Sequence, residues 1–548
     1  MMIPLVPVIS TPAKKARETG FDPIVQPILD AFEYSGKLPE LFSDKAKITV
    51  DQVVSHLAYI YEKLRNVIDF KEEKLLRKNA LERVLKRRLG MGGTAENISL
   101  SLIKELIRAG YIENNTVPEI KIGEIRAIID KYVRLANLVY KKESKLQQKE
   151  IFQWFFGMAA VEIDRLLVYQ GIDDSLMAAM EEVVKKSVVL ERIKMSEEDR
   201  SLQFFMAIRR TFVRSDEAMI NYDLWMRSFP EWKEPSDELL EEFAVNIDEI
   251  YDRFETEKNH PLAEKLKAVM KRYSVLFQIL EDVIRDDPGA AVQVLRDPEA
   301  FEEKVRAACD QRYSSTKNKL RRSAVRAILY IFITKMLLGI ILEFPIDMYI
   351  LRHTNITPII INSLFHPIFM FIVILWIRAP GDKNTDRIVN GLKMIVYEGG
   401  NTKSPNRIRA DARRGRLSLA LFSVFYLALY FLSFGTIIYA LDRWLDFSFV
   451  SIIIFLFFLS TITFFAIRLR QNAAELLIIK KRQGVMGFIV DIFAIPLVRV
   501  GYWFSKKLPK INVFIFIFDV ILEAPFKAFI EIFEDWIGFL KEKKEEVY

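Results

Sequence analysis

The residues best placed to do chemistry stand where charge is costly. Lys335 lies inside an apolar run, Ala324–Phe344, which also carries Glu343. A charge in such a run is expensive unless paired, and marks a functional position by default. Lys335 and Glu343 are expected either to line a solute path or to pair inside a helix bundle, with Asp491 as another partner for the lysine. Asp491 and Arg499 are the only charges in Gly484–Phe504. Eight residues apart, they lie about 80° from each other on a helix, so both can face a polar cleft or lipid headgroups. Lys335, Glu343, Asp491 and Arg499 are the candidate intramembrane or interfacial polar positions.

Other chemistry is thinly represented. Met91-Gly92-Gly93-Thr94 and Gly399-Gly400-Asn401-Thr402-Lys403-Ser404 contain glycine and polar residues. Neither has the spacing in which amides and a lysine embrace a nucleotide phosphate, and both read as turns. One cysteine, Cys309, excludes a disulfide framework and a cysteine-based metal site of usual ligand count. His56, His260, His353 and His366 are far apart and read as structural or surface residues. Asp173-Asp174 and Asp286-Asp287 read as caps or turns. No Gly-x-Ser-x-Gly elbow occurs. No catalytic set, metal site or cofactor is expected. Eight basic residues crowd Lys71–Arg88, but Glu72, Glu73 and Glu82 are interspersed. That pattern reads as the solvated side of an amphipathic helix.

The charge balance points the same way. Residues 1–322 hold 52 Lys+Arg and 54 Asp+Glu, and residues 323–548 hold 27 and 18. The positive excess therefore belongs to the apolar half, so a nucleic-acid partner is not expected. Within the first part, residues 1–150 carry a net +6 and residues 151–300 a net −12. Regions of opposite sign can dock on each other or face different partners.

Four apolar runs approach the ~20 residues that a helix needs to cross the hydrocarbon. They are Ala324–Phe344, Thr357–Ile377, Leu417–Tyr439 and Phe447–Ile467. Basic residues crowd alternate flanks: Lys317 to Arg322, ten Lys/Arg in residues 378–416, and Arg468 to Arg482. The two short connections hold one basic residue each, Arg352 and Arg443. By the positive-inside rule this predicts two hairpins, with the N-terminal part, the 378–416 loop and the C-terminus cytoplasmic. The start lacks the basic and apolar regions of a cleavable signal peptide. Two later stretches, Gly484–Phe504 and Ile511–Leu540, are joined by a link containing Lys506, Lys507 and Lys510. Such a link is unusual outside a cell, so both stretches are expected to lie in or dip into the cytoplasmic interface. The alternative is a third hairpin.

The N-terminal part reads as helix throughout. Thr49 and Gln52 fit a capping box that opens an amphipathic run through Ile68. A second run covers Phe70–Leu89 and stops at Gly90. Ile98–Ala109 closes at Gly110, and Ile120–Val139 follows. Ser196, Ser236 and Asp297 are N-cap candidates with acids in the next turn. From Asp297 one helix can run through Arg322 into the first apolar run. No sustained period-two alternation occurs, so a sheet is not expected.

The expected fold is all-α: a cytosolic helical domain, a polytopic membrane domain of four transmembrane helices, and C-terminal amphipathic, interfacial helices. The expected divisions are an irregular segment 1–47, a basic helical subdomain 48–150 and an acidic one 151–322. They continue with hairpins 323–378 and 417–470, a basic loop 379–416 and the interfacial region 471–548. The expected function is that of a non-enzymatic membrane scaffold or assembly component whose cytosolic domain binds a protein partner. Membrane lipids and a protein partner or second copy are the expected contacts. An oligomeric conduit for an ion or small solute is the alternative. A lipid-acting membrane enzyme using Asp491 and Arg499 ranks below both.

Overall fold

Helix ends fall at Gly90, Gly110, Ser196 and Ser236, where the sequence carries a stop glycine or a cap. The computed structural model describes residues 20–41, 45–51, 59, 62, 73–142, 144–193, 195–338, 341, 345–346, 357–376, 380–401, 405–409, 416–478, 485–507, 532 and 536. Helix dominates these residues, so the chain is all-α. It divides into two compact units. One comprises Met1–Asp297, Met394–Arg409 and Phe516–Tyr548, the other Pro298–Lys393 and Ala410–Ile515.

The first unit begins with a 3-10 turn capped by Asp22, whose carboxylate accepts from the Ile24 amide at 3.0 Å. Its helices are α1 (Gln26–Leu41), α2 (Glu73–Gly90), α3 (Ala95–Arg108), α4 (Ile120–Lys141), α5 (Gln148–Leu167), α6 (Gly171–Ser187), α7 (Glu197–Ile208), α8 (Glu217–Ser228), α9 (Asp237–Lys258), α10 (Ala263–Asp286) and α11 (Ala291–Arg296). Ser196 and Ser236 cap α7 and α9, accepting from Asp199 and Leu239 amides at 3.0 and 3.3 Å. The expected helix over residues 53–68 lies outside the described residues except Tyr59 and Glu62. α2 to α5, α8 and α9 close over one core in which Trp225 meets Trp154, Trp232 and Phe243 at 5.8, 5.2 and 5.2 Å between ring centres. Buried aromatics carry large apolar area and favour such edge-on contacts.

One feature departs from the expectation of no sheet. Strand β1 (Val188–Glu191) pairs in parallel with β2 (Asn406–Arg409), Val188 opposite Asn406. Four residues are too few to show an alternation, and the partner comes from far along the chain. Leading into β2, the Val396 carbonyl accepts from the Asp22 amide at 2.7 Å, and Gly400 accepts from the buried Ser187 hydroxyl at 2.9 Å. Gly399 has φ +59, and a Cβ there would fall 2.5 Å from Asp22 Oδ2. Glycine meets no penalty in that left-handed turn, and any side chain there would have to displace the Asp22 carboxylate. Asn406 donates to Tyr273 Oη at 2.9 Å, Lys265 to the Arg409 carbonyl at 2.8 Å, and Arg407 and Arg409 both pair with Glu191. Much of the expected 379–416 loop is thereby built into the first unit.

The second unit begins with α12 (Pro298–Leu338), which runs unbroken for 41 residues directly after Asp297. It continues with α13 (Thr357–Trp376), α14 (Asp382–Glu398, which passes to the first unit at Met394), α15 (Arg416–Leu445), α16 (Phe449–Ala473) and α17 (Val485–Lys507). α12 and α13 are antiparallel: Ala324, before Lys335, shares an apolar cluster with Met370 and Val373, after His366, and Lys335 meets His366. α13 and α16 run the same way, since Asn362 bonds Ser451 and His366 bonds Phe455. α17 runs antiparallel along α16. Asp491 sits at Arg470, Gly501 against the Ser460 carbonyl, and Phe504 against Phe457. A Cβ at Gly501 would lie 2.1 Å from that carbonyl oxygen, so the two backbones touch. This lengthwise packing is the structure's account of the first half of the expected interfacial region. The second half, 511–540, lies outside the described residues except Ile532 and Trp536.

The ends of this unit are polar on one side. The Asn384 side chain donates to Tyr313 Oη at 2.9 Å and to the Leu476 carbonyl at 2.8 Å, and accepts from the Ile478 amide at 2.9 Å. Glu302 pairs with Lys393, and Arg306 with Asp386. These contacts join the basic flanks before the first apolar run, after the second and after the fourth. Among the described residues, Ala420–Leu445 and Phe449–Gln471 are long and apolar enough to cross a membrane, and Ile360–Leu375 is a shorter apolar helix.

Candidate functional site

Lys335 is among the most deeply buried side chains in the protein, at 1% exposure. The 3.6-residue period puts it on the stripe of α12 that carries Leu320, Ala324 and Ile328 toward α13 and α16. Its ammonium hydrogen-bonds His366 Nδ1, and lies 4.9 Å from the Phe458 ring centre and 5.6 Å from that of Phe455. Both rings present negative faces to a desolvated cation. The other imidazole nitrogen, Nε2, faces the Phe455 carbonyl at 3.1 Å. Nδ1 likewise has the Asn362 carbonyl at 3.2 Å, so each ring nitrogen has a carbonyl acceptor within reach. Pro367 follows directly and removes the amide that would bond the Ser363 carbonyl.

Toward the start of α16, Ser448 caps the helix and its hydroxyl donates to Ser451 Oγ at 3.2 Å. The Ser451 carbonyl accepts from buried Asn362 at 3.4 Å, and the Asn362 carbonyl lies 3.2 Å from His366 Nδ1. A file of polar groups thus leads from the α15–α16 turn to Lys335. On the other side an apolar cluster gathers Ala324, Met370, Phe458, Ile462, Ala466 and Leu469, and the same stretch of α16 also buries Ser460 and Thr463. The hydroxyl of Thr463 turns back onto the Leu459 carbonyl of its own helix at 2.7 Å.

The other sequence candidates are placed elsewhere. Glu343 lies outside the described residues. Asp491 meets Arg470 at 3.4 Å. Arg499 donates to Tyr426 Oη at 2.9 Å and stacks 5.4 Å over its ring. Each of these two therefore has its own neighbour on another helix. The sequence reads His366 as a structural or surface residue, since a neutral imidazole adds no formal charge to an apolar run. Its position near the middle of a 20-residue span was the available signal.

The first unit shows what happens to the remaining charged motifs. The basic run of α2 is occupied by acids: Arg77 binds Asp164, Lys78 binds Glu82 and Asp216, Arg83 binds Glu62, and Arg87 binds Glu105. Burial pushes Glu82 up, but Lys78 and Lys86 outweigh it and hold the carboxyl below its ordinary value. Asp223 lies between Arg165 and Arg209, all three part of a buried or half-buried cluster. Lys131 is held by Glu162 and the Trp232 carbonyl, and burial depresses its ammonium. Asp173 and Asp174 lie in the first turn of α6, and Asp287 accepts from the Ala290 amide at 3.0 Å. Such satisfied pairs fix a fold. His260 Nδ1 accepts from the Leu262 amide at 3.2 Å, while His56 and His353 lie outside the described residues.

Comparison with family models, with curated proteins and with solved structures gives no match to this chain. The class defined by the geometry is an all-α chain with, among the described residues, two helices of membrane-crossing length and composition.

Proposed function

We propose that this chain is a multi-pass membrane scaffold whose N-terminal helical unit faces the cytoplasm and binds a protein partner. One observation carries the membrane part: the second unit is inside out. Its large apolar side chains face outward on α12, α13 and α15, whereas Lys335, Asn362, His366, Ser451 and Ser460 are buried. Water-soluble proteins rarely expose a continuous apolar surface of this extent. α12, α13, α15 and α16 supply four crossings. The hydrogen bonds around Asn384 support a common side for the three basic flanks, which the positive-inside rule makes cytoplasmic. The register of α17 along α16 favours a helix that re-enters from that side and brings Lys507 toward the far face.

The scaffold role rests on how the first unit holds the chain between α13 and α15. The β1–β2 pair and the Asp22, Ser187, Tyr273 and Lys265 contacts anchor residues 394–409. A partner bound to this unit is thereby linked to two membrane hairpins. Single-cysteine labelling of intact cells tests the arrangement. Trp444→Cys and Lys507→Cys react from outside, and Asn401→Cys reacts only after permeabilisation. Labelling of Asn401→Cys in intact cells overturns the topology. Crosslinked pull-down of the full chain from native membranes tests the scaffold: a stoichiometric partner is expected, and self-crosslinks alone count against it.

The buried Lys335–His366 pair favours a second reading, an oligomeric conduit gated by the first unit. Solute or ion flux in proteoliposomes that is lost in Lys335→Leu supports it. Sealed vesicles with every solute tried count against it.

A further inference from the structure

We propose that Lys319, Arg322 and Arg326 form a docking face for the headgroups of anionic phospholipids where α12 enters the membrane. The inference rests on the membrane reading above and adds the class of lipid that covers this face. α12 runs unbroken through all the positions involved. On a helix, positions 319, 322, 326, 329, 333 and 337 fall within a sector of about 80°. That stripe changes character along its length. Lys319, Arg322 and Arg326 are exposed and basic. Leu329, Ile333 and Leu337 are apolar and each more than half exposed. The opposite face, through Leu320, Ala324 and Ile328, packs on α13 and α16.

These cations are unclaimed. Between Asp310 and Glu343 the sequence has no acid. Among the described residues, the side chains of Lys319, Arg322 and Arg326 form no hydrogen bond or ion pair. The basic run of α2 is the contrast. There Arg77, Lys78, Arg83 and Arg87 are each bound to an acid of the chain itself. A paired run is spent on the fold, whereas an unpaired one keeps its charge for something outside.

The partner follows from what the stripe joins. Arg326 precedes Leu329 by about 4.5 Å along the axis, and Lys319 by about 15 Å. Acyl chains lying on Leu329 and Ile333 put their own phosphates at the level of Arg326 and Arg322. One phospholipid thus meets both halves of the stripe, which an acidic soluble protein does not. The guanidinium fork matches phosphate oxygens. A zwitterionic headgroup carries its own cation, which competes for that phosphate. An anionic headgroup does not, and juxtamembrane cations draw it. Lys317 and Arg321, also exposed, add to the local positive potential.

The test is local photocrosslinking in liposomes that hold the full-length chain. Phosphatidylglycerol or phosphatidylcholine carries a diazirine next to its glycerol, at equal mole fraction. Adducts on residues 323–338 are counted by peptide mass spectrometry. Phosphatidylglycerol should be preferred by about fivefold for each cation engaged. Lys319→Gln/Arg322→Gln/Arg326→Gln should remove the preference, and Arg322→Lys/Arg326→Lys should keep most of it. Three results overturn the proposal. Equal labelling by the two lipids in wild type leaves the face to an acidic protein. A preference that survives the triple Gln variant places the lipid elsewhere. Loss of the preference on adding inorganic phosphate assigns the face to a soluble anion. Salt offers a check independent of any variant's folding. At about 1 M the screening length falls to about 3 Å, and the wild-type preference should drop. A preference unchanged by salt overturns its electrostatic origin. Protein that fails to float with liposomes, or Asn401→Cys and Trp444→Cys labelled from the same side, instead defeats the membrane reading.

Discussion

The two units solve the same problem with opposite surfaces. In the first, buried charges such as Lys78, Asp164, Arg209 and Asp223 lie against oppositely charged partners, and large apolar groups reach the surface singly. Val245 is such a case, 63% exposed on a helix otherwise rich in acids. In the second, α15 alone exposes Leu421, Phe422, Val424, Phe425, Leu427, Phe431 and Leu432, with Phe431 at 73% and Leu427 at 59%. Equal exposure therefore has different meanings in the two places. An isolated apolar residue on a charged surface is ordinary. A helix apolar around its exposed circumference asks for an apolar solvent.

Charge substitution separates these meanings, and its largest effect falls on α15. Leu427→Asp/Phe431→Asp is expected to oppose insertion by about 6 kcal/mol, from roughly 3 kcal/mol for each apolar-to-Asp change within a span. The measurement is the fraction of chain resistant to alkaline extraction from membranes, which should collapse. A double variant that stays inserted breaks the comparison, because α15 then faces something other than lipid.

The next effect belongs to the first unit, where buried charge depends on its partner. Lys131 is 7% exposed, holding Glu162 and the Trp232 carbonyl, and Tyr132 donates to the same carboxylate at 3.1 Å. Lys131→Met leaves Glu162 half-buried without its cation and should cost about 3 kcal/mol. Denaturant unfolding of the detergent-solubilised chain, read by Trp232 and its tryptophan neighbours, should show the lower midpoint. Lys131→Met/Glu162→Gln should recover part of it. No recovery would mean that Lys131 acts by filling space.

How much of this was legible beforehand differs between the units for physical reasons. The ends of α2, α3, α7 and α9 follow from Gly90, Gly110, Ser196 and Ser236, because a cap is a local interaction within a few residues. The continuity of α12 across Arg322 is local in the same sense. The β1–β2 pair, the Lys335–His366 contact and the Asn384 junction depend on residues far apart in the chain, and no spacing announces them. The ion pairs of α2 were half visible: its basic residues read as a solvated face, but their acids are Glu62, Glu105 on α3, Asp164 on α5 and the α8 cap Asp216, as well as Glu82 on α2 itself. Lys335 drew attention because its charge is formal. His366 did not, although the imidazole completes the site.

Acid adds a smaller test of the first unit. Glu82 sits below its ordinary carboxyl value in the fold because Lys78 and Lys86 hold its charged form against the opposing effect of burial. A lowered carboxyl stabilises the folded state above the unfolded value, and the contribution fades as pH falls through the folded value. At neutral pH, Glu82→Gln should lower stability by about 1 kcal/mol, an order-of-magnitude figure for a partly exposed pair. The gap between variant and wild type should close as pH falls below the ordinary carboxyl range. Parallel unfolding curves from neutral pH downward check it, and a gap that widens in acid would place the cost in packing.

The smallest expected effect is the sharpest control on the comparison. Val245→Asp makes the same apolar-to-acid exchange as Leu427→Asp at a comparably exposed helix position. On α9 the new carboxylate meets water, so the change should stay within about 0.5 kcal/mol, as for most surface substitutions. It also adds an acid to a helix whose first turn already carries Asp237 and Glu238. Like charges on one face repel weakly, which sets the sign as slightly destabilising and screened by salt. A large loss at Val245 would mean that its outward face is covered in the native protein, and α9 would become the place to look for the partner of the scaffold. A negligible loss beside a collapse at Leu427 and Phe431 would establish that one unit is solvated by water and the other by lipid.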